Sequence, residues 1–157
     1  MPDSHSVELQ HETTAAPPSV WAVLTDLDRA AEVLTGVDRV ERLSGDGYQV
    51  GTRWRETRTM MGRSASEEMV VTAVEPGRST TVEADAVGVH YRTAFTLAPL
   101  PEGGTRVTMV FSGSPVEPTA FQRLTWRLFG AWGLRMSAKA MRQDLADIAA
   151  AAERSGN

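Results

Sequence analysis

The sequence contains no cysteine. That excludes disulfides, thiolate metal ligands and a cysteine nucleophile. Two other side chains are nearly missing: Lys139 is the only lysine and Asn157 the only asparagine. Positive charge is therefore carried almost wholly by arginine, which reads as genomic composition bias, and no N-glycosylation acceptor exists. No apolar run approaches the ~20 residues that a membrane span requires. The segment from Met1 to Ser6 is polar and lacks the apolar core of a secretory signal. Also absent are a P-loop, a Gly-x-Gly-x-x-Gly turn, a zincin helix and a nucleophile elbow; Ser112-Gly113-Ser114 lacks the flanks of the last. No pair of histidines has metal-ligand spacing and no carboxylates cluster with them, so neither a metal nor a cofactor is expected. A net charge of −4 and a pI of about 5.4 argue against general affinity for nucleic acid or anionic lipid. The expectation is a soluble cytoplasmic protein, monomeric or homodimeric, with no nucleic-acid partner and no stable membrane insertion.

What is present fits one ordinary domain. With 157 residues, 41% hydrophobic and 23% charged, the chain has the composition of a globular protein. A domain of this length buries roughly two thirds of its unfolded surface, enough for a core with a hole in it. Neither repeats nor a low-complexity linker interrupt it, so residues 1–157 are expected to form a single domain, ordered over about 6–154.

Residues Ser6 to Thr14 alternate, with Val7, Leu9 and His11 on one phase and Glu8, Gln10 and Glu12 on the other, the pattern of a strand. Pro17 and Pro18 stop it and suit the first turn of a helix, which Val20, Trp21, Leu24 and Leu27 continue. A second short helix spans about Arg29 to Leu34, with Gly36 as a left-handed cap. Six strands follow between turn signals, the last three being Ser79 to Ala84, Gly88 to Leu97 and Thr105 to Ser112. From about Thr119 to Arg154 the period changes. Phe121, Leu124, Leu128 and Trp132, then Leu134, Met141, Leu145 and Ile148, mark a long amphipathic helix. Gly130 and Gly133 lie inside it, either as tolerated irregularities or as places of bending or close approach. The expected fold is α+β: a curved seven-stranded antiparallel sheet around the long C-terminal helix, with two short helices after the first strand. One helix is too little material to fill the concave face, so a ligand-sized cavity is expected.

A family resemblance covers nearly the whole chain. It is carried by Ala16-Pro17-Pro18-Ser19-Val20-Trp21, by Val50 to Arg58, by Val74-Glu75-Pro76-Gly77-Arg78, by Tyr91 to Leu97 and by Gly103 to Thr108. In these the sequence resembles the START-related (SRPBCC) superfamily of helix-grip proteins, in its polyketide cyclase/dehydrase and lipid-transport-like branch. The resemblance implies an internal cavity for a small hydrophobic or amphipathic molecule: a polyketide, a lipid or an aromatic metabolite. It also implies an alternative, a cyclase, aromatase or dehydratase working in the same cavity. What such proteins share is the cavity, not a catalytic motif.

Candidate site residues follow from strand phase. Trp54, Glu56, Arg58 and Met60 share one face, and its large apolar ends point it inward. Glu56 and Arg58 then serve as a polar ligand anchor or an acid/base pair, unless they sit at a solvated rim. Tyr91 shares a phase with Thr93 and Phe95 and offers a hydroxyl to a ligand oxygen, or is plain core. The ligand-binding set is Trp54, Glu56, Arg58, Met69, Tyr91, Thr93, Phe95, Met109, Leu128 and Trp132, with Glu56 and Tyr91 as the catalytic candidates. Trp126, Trp132, Met136 and Met141 form an adaptable apolar wall or ordinary helix packing. Met60 and Met61 sit at a hairpin tip, at a mobile mouth or in an exposed patch. His90 and Arg92 fall on the outer face, and His11 is read as structural.

Overall fold

The structure is a computed structural model. It describes residues 4–60 and 62–156, without the side chains of Phe129, Ala131, Trp132, Leu134 and Met136. Met61, read as part of a hairpin tip, lies outside the described residues, as do the side chains of Trp132, Leu134 and Met136.

Strand β1 (His5–Thr13) buries Leu9 and Thr13 and exposes Ser6, Glu8, Gln10 and Glu12, as its alternation requires. Helix α1 (Pro17–Leu24) starts on the two prolines, with Val20 fully buried. A single 3₁₀ turn (Leu27–Arg29) follows, opened by Asp26, whose carboxylate accepts from the Arg29 N–H. Helix α2 (Ala30–Val33) is one turn long and ends at Leu34 in extended conformation. Gly36 is thus not its left-handed cap, and its φ is not positive.

The next six strands are β2 (Val37–Ser44), β3 (Arg53–Met60), β4 (Arg63–Glu75), β5 (Ser79–Ala86), β6 (Val89–Pro99) and β7 (Thr105–Pro115). All neighbours are antiparallel, in the order β1-β7-β6-β5-β4-β3-β2. β1 and β2 are therefore the two edges. The chain crosses from one edge to the other through the short helices, then meanders back until β7 pairs with β1. This crossing stretches α1 and α2 across the open side of the sheet.

Helix α3 (Ala120–Ser155) begins with a capping box: Thr119 Oγ1 accepts from the Gln122 N–H, and Gln122 accepts from the Thr119 N–H. It packs on β1, β7 and α1. Its C-terminal half is buried there through Ala138, Leu145, Ile148, Ala149 and Ala152, and Gly130 is buried close to His5. Farther toward its N-terminus, Trp126 meets His5 of β1 and comes close to Gly113 of β7. Phe121 (77% exposed), Leu124 (54%) and Leu128 (64%) face outward, so their helical repeat does not mark core.

The core is consequently split. One cluster joins β1, β6, β7, α1 and α3 through Leu9, Val20, Leu97, Val107, Met109 and Leu145. A second, smaller one joins the 3₁₀ turn to β3 and β4 through Leu27, Trp54 and Val71, with Tyr48, Met69 and Val82 against it. α3 covers the first cluster and stops short of the second.

Candidate functional site: the cavity between the two clusters

The gap between the clusters is a cavity of about 330 Å³. Members of both clusters line it: Leu27, Trp54 and Met69 from one, Phe95, Met109 and Ile148 from the other. α2 and its flanks close one side with Ala30, Val33 and Leu34. Ser137, Ala140, Met141 and Asp144 of α3 close another.

The inward phase of β3 crosses this cavity. Trp54, Glu56, Arg58 and Met60 all line it. The first three form one hydrogen-bonded chain that runs on to the helix. The Trp54 indole N–H donates to Glu56 Oε2 at 3.3 Å. Glu56 Oε1 accepts from Arg58 Nε at 2.6 Å. Arg58 then donates from Nη1 to Asp144 Oδ1 at 3.1 Å and from Nη2 to Asp144 Oδ2 at 2.8 Å. The fork geometry of guanidinium and carboxylate ties β3 directly to α3. Side-chain exposure is 23% for Arg58 and 11% for both Glu56 and Asp144, so the chain is mostly desolvated. Burial works against the Arg58 charge, but the hydrogen bonds to Asp144 and the fields of Glu56 and Asp144 outweigh it, and the guanidinium is held above its ordinary range. At Asp144 burial is the larger influence and pushes the carboxyl up, against the pull of Arg58.

Gly36 leaves room for this pairing. A Cβ there would lie 3.2 Å from Arg58 Nη1 and 3.9 Å from Asp144 Oδ1. Its role is close approach. One turn along α3, Asp147 Oδ2 accepts from both the backbone N–H and the hydroxyl of Thr35 at 2.9 Å. Asp144 and Asp147 together pin the α2–β2 side of the sheet to the helix.

The opposite wall is aromatic. Tyr91 and Phe111 stack with centroids 5.4 Å apart and planes 8° from parallel. Tyr91 pairs in register with Gly113, where a Cβ would meet the Tyr91 ring at 3.3 Å. The Tyr91 hydroxyl makes no hydrogen bond to the described residues, and burial with the field of Glu67 pushes its pKa up. Glu67 sits on the inward phase of β4 with Ala65 and Met69, directly across from Glu56. It too has no hydrogen-bond partner among the described residues. Burial, then the charge of Glu56, raise its carboxyl, with Arg58 opposing. Tyr48 is different: its hydroxyl bonds Thr80 Oγ1 at 2.9 Å, and burial raises its pKa.

Of the residues singled out from sequence, Trp54, Glu56, Arg58, Met69, Tyr91, Thr93, Phe95 and Met109 line the cavity. Leu128 does not; it is exposed on α3. The side chain of Trp132 is outside the described residues. Trp126 does not reach the cavity either; its ring lies 5.3 Å from that of His5. Sequence reasoning missed Asp144, Glu67 and Tyr48. The signal for Glu67 was the alternation Ala65, Glu67, Met69. For Asp144 it was an acid on the same helical stripe as Met141, Leu145 and Ile148. Among the described residues no group of three histidine, aspartate or glutamate side chains is placed to hold a metal. No helix among them is long and apolar enough to cross a membrane.

A curved antiparallel sheet gripping one long helix, with a cavity between split core clusters, defines a helix-grip protein. The chain belongs to the polyketide cyclase/dehydrase and lipid transport family, whose model matches residues 4–153. Among solved structures it is similar to the ZhuI aromatase/cyclase from Streptomyces sp. R1128, at 18% identity and a TM-score of 0.80, covering 96% of this chain and 94% of that one. The di-domain ARO/CYC StfQ of the steffimycin biosynthetic pathway gives a TM-score of 0.80 at 16% identity, covering 98% of this chain and 53% of that one. TTHA0849 from Thermus thermophilus gives 0.77 at 16% identity, covering 98% of this chain and all (100%) of the other. At such identities these likenesses show the fold. No curated protein matches the sequence.

Proposed function

We propose that this protein binds one small, mostly apolar molecule with a polar end inside the cavity between its two core clusters. The observation that carries the reading is the split core: apolar walls on two sides and two polar groups, Tyr91 and Glu67, that face the same space and have no hydrogen-bond partner among the described residues. A ligand hiding on the order of 200 Å² of apolar surface gains about 5 kcal/mol at ~25 cal/mol per Å². Association and ordering costs take back several kcal/mol of that, so the polar end supplies affinity and orientation. Native mass spectrometry of freshly purified protein is expected to show a small-molecule adduct. Ala140→Phe, which fills the cavity from α3, is expected to remove the adduct while leaving the circular dichroism spectrum unchanged. An adduct of equal occupancy in the filled variant would refute the assignment of the cavity.

A second reading, a cyclase, aromatase or dehydratase acting on a carbonyl chain folded in the cavity, is favoured by the family and by the Tyr91 hydroxyl. Glu56 suits it less, because its oxygens already accept from Trp54 and Arg58. Tyr91 is then the group that donates to a ligand oxygen. Turnover of a carbonyl substrate that disappears in Tyr91→Phe, with affinity retained, supports this reading; unchanged turnover removes Tyr91 from it.

A further inference from the structure

The charges around the cavity are unevenly committed. Its ionisable lining consists of Glu56, Arg58, Arg63, Glu67, Tyr48, Tyr91 and Asp144. Arg58 is the cation inside, and its charge is taken up by two carboxylates, Glu56 on its own strand and Asp144 on the helix. Arg63 lies at the exposed start of β4. The buried triad therefore already carries one excess negative charge before Glu67 is counted. Glu67 adds a carboxyl without a hydrogen-bond partner among the described residues, facing Glu56 across the β3–β4 pair. Its neighbours on the next wall are aromatic: Tyr91, stacked on Phe111, with Phe95 farther along the same strand. A half-buried carboxylate beside aromatic side chains is a setting that attracts an ammonium and repels an anion.

We infer that Glu67 is the charge-selecting residue of the cavity, and that the molecule held there carries a protonated amine on an apolar body. The inference rests on the binding reading above and narrows it to one ligand class. Burial and Glu56 push the Glu67 carboxyl up, so the site holds this carboxylate at a cost. An ammonium placed between Glu67 and the Tyr91 face relieves that cost. A carboxylate-bearing ligand increases it, since to reach Arg58 it must compete with ion pairs already made. Arg63 is too exposed to change the balance inside.

Three probes of one shape separate the possibilities: naphthylmethylamine, naphthylmethanol and naphthoate, titrated at neutral pH by quenching of tryptophan fluorescence and by calorimetry. The amine is expected to bind at least about tenfold more tightly than the carboxylate, about 1.4 kcal/mol. Glu67→Gln is expected to shrink that ratio to within about twofold. Glu68→Gln, on the outer face of the same strand beside Arg55, is expected to leave it unchanged. Amine and carboxylate binding equally, or the carboxylate binding more tightly, overturns the charge selection, as does a ratio that survives Glu67→Gln. In those cases the naphthylmethanol titration still shows an apolar site. If none of the three probes binds, the binding reading falls and the selection falls with it.

Discussion

Arg58 donates to Glu56 at 2.6 Å and, in fork geometry, to Asp144 at 2.8 and 3.1 Å. Removing Arg58 leaves Glu56 and Asp144 desolvated without a cation, whereas removing it together with both carboxylate charges does not. Arg58→Met is therefore expected to lower stability by about 2–3 kcal/mol, below the usual range for buried pairs because the group keeps some solvent contact. The triple change Arg58→Met, Glu56→Gln and Asp144→Leu is expected to recover most of the loss. Urea denaturation of the single and triple variants checks this; a triple variant as unstable as the single one contradicts it. On the outer face, both ring nitrogens of His90 meet carboxylates, Asp85 at 2.6 Å and Glu83 at 2.8 Å. Only the imidazolium satisfies both, so hydrogen bonds to Glu83 and Asp85 hold its pKa above the ordinary ~6.5. Glu83 is held below the ordinary ~4.3 by Thr72 and His90. The histidine's contribution is complete below its unfolded pKa and fades as pH rises through the elevated one. The glutamate's is complete above its unfolded pKa and fades on acidification. The gain in thermal midpoint of the wild type over His90→Gln is thus expected to peak between about pH 4.5 and 6.5 and shrink above. As an exposed pair it is worth under about 1 kcal/mol. A difference that grows with rising pH contradicts the assignment.

Two glycines of α3, Gly130 and Gly133, look alike in the sequence and differ in the fold. A Cβ at Gly130 would lie 2.6 Å from His5 Cδ2 and 2.9 Å from Trp126 Cδ2. His5 Nε2 is bonded to the Trp126 carbonyl at 3.2 Å, which closes β1 against the helix. At Gly133, among the described residues, nothing comes within 4 Å of such a Cβ. Alanine gains about 1 kcal/mol over glycine inside a helix. Gly133→Ala is accordingly expected to stabilise the protein by up to about 1 kcal/mol. Gly130→Ala must displace the His5 ring and lose its hydrogen bond, about 1 kcal/mol, so the propensity gain is cancelled or reversed. Chemical denaturation of both variants separates them, and an equal gain at the two positions argues against the β1–α3 contact. At the other end of the same helix, Thr13 Oγ1 donates to Glu153 at 2.6 Å, so α3 is fastened to β1 near both ends of the strand.

The molecule as a whole is two packed regions with a space between them, and a ligand in that space would bridge them. Hydrogen exchange is expected to be slowest in β7 and the C-terminal half of α3, which share the larger cluster, and faster in β3 and β4. A bound apolar molecule is expected to slow β3 and β4 most; protection confined to the larger cluster contradicts a bridging site. By itself the sequence determined the order of elements and the face of each strand, because alternation and turn residues act over a few neighbours. That was enough to place Trp54, Glu56, Arg58 and Tyr91 on inward phases, and to expect a cavity from one helix against seven strands. It did not determine the partner of Arg58, which lies 86 residues away on α3, nor that Gly36 serves that contact and not a helix cap. Nor did it show that Phe121, Leu124 and Leu128 face outward: the apolar residues offer more than one stripe, and here it is Trp126 and Gly130 that meet β1. Those outcomes depend on how far the sheet curls and where α3 crosses it, and that geometry is set by packing between residues distant in the chain.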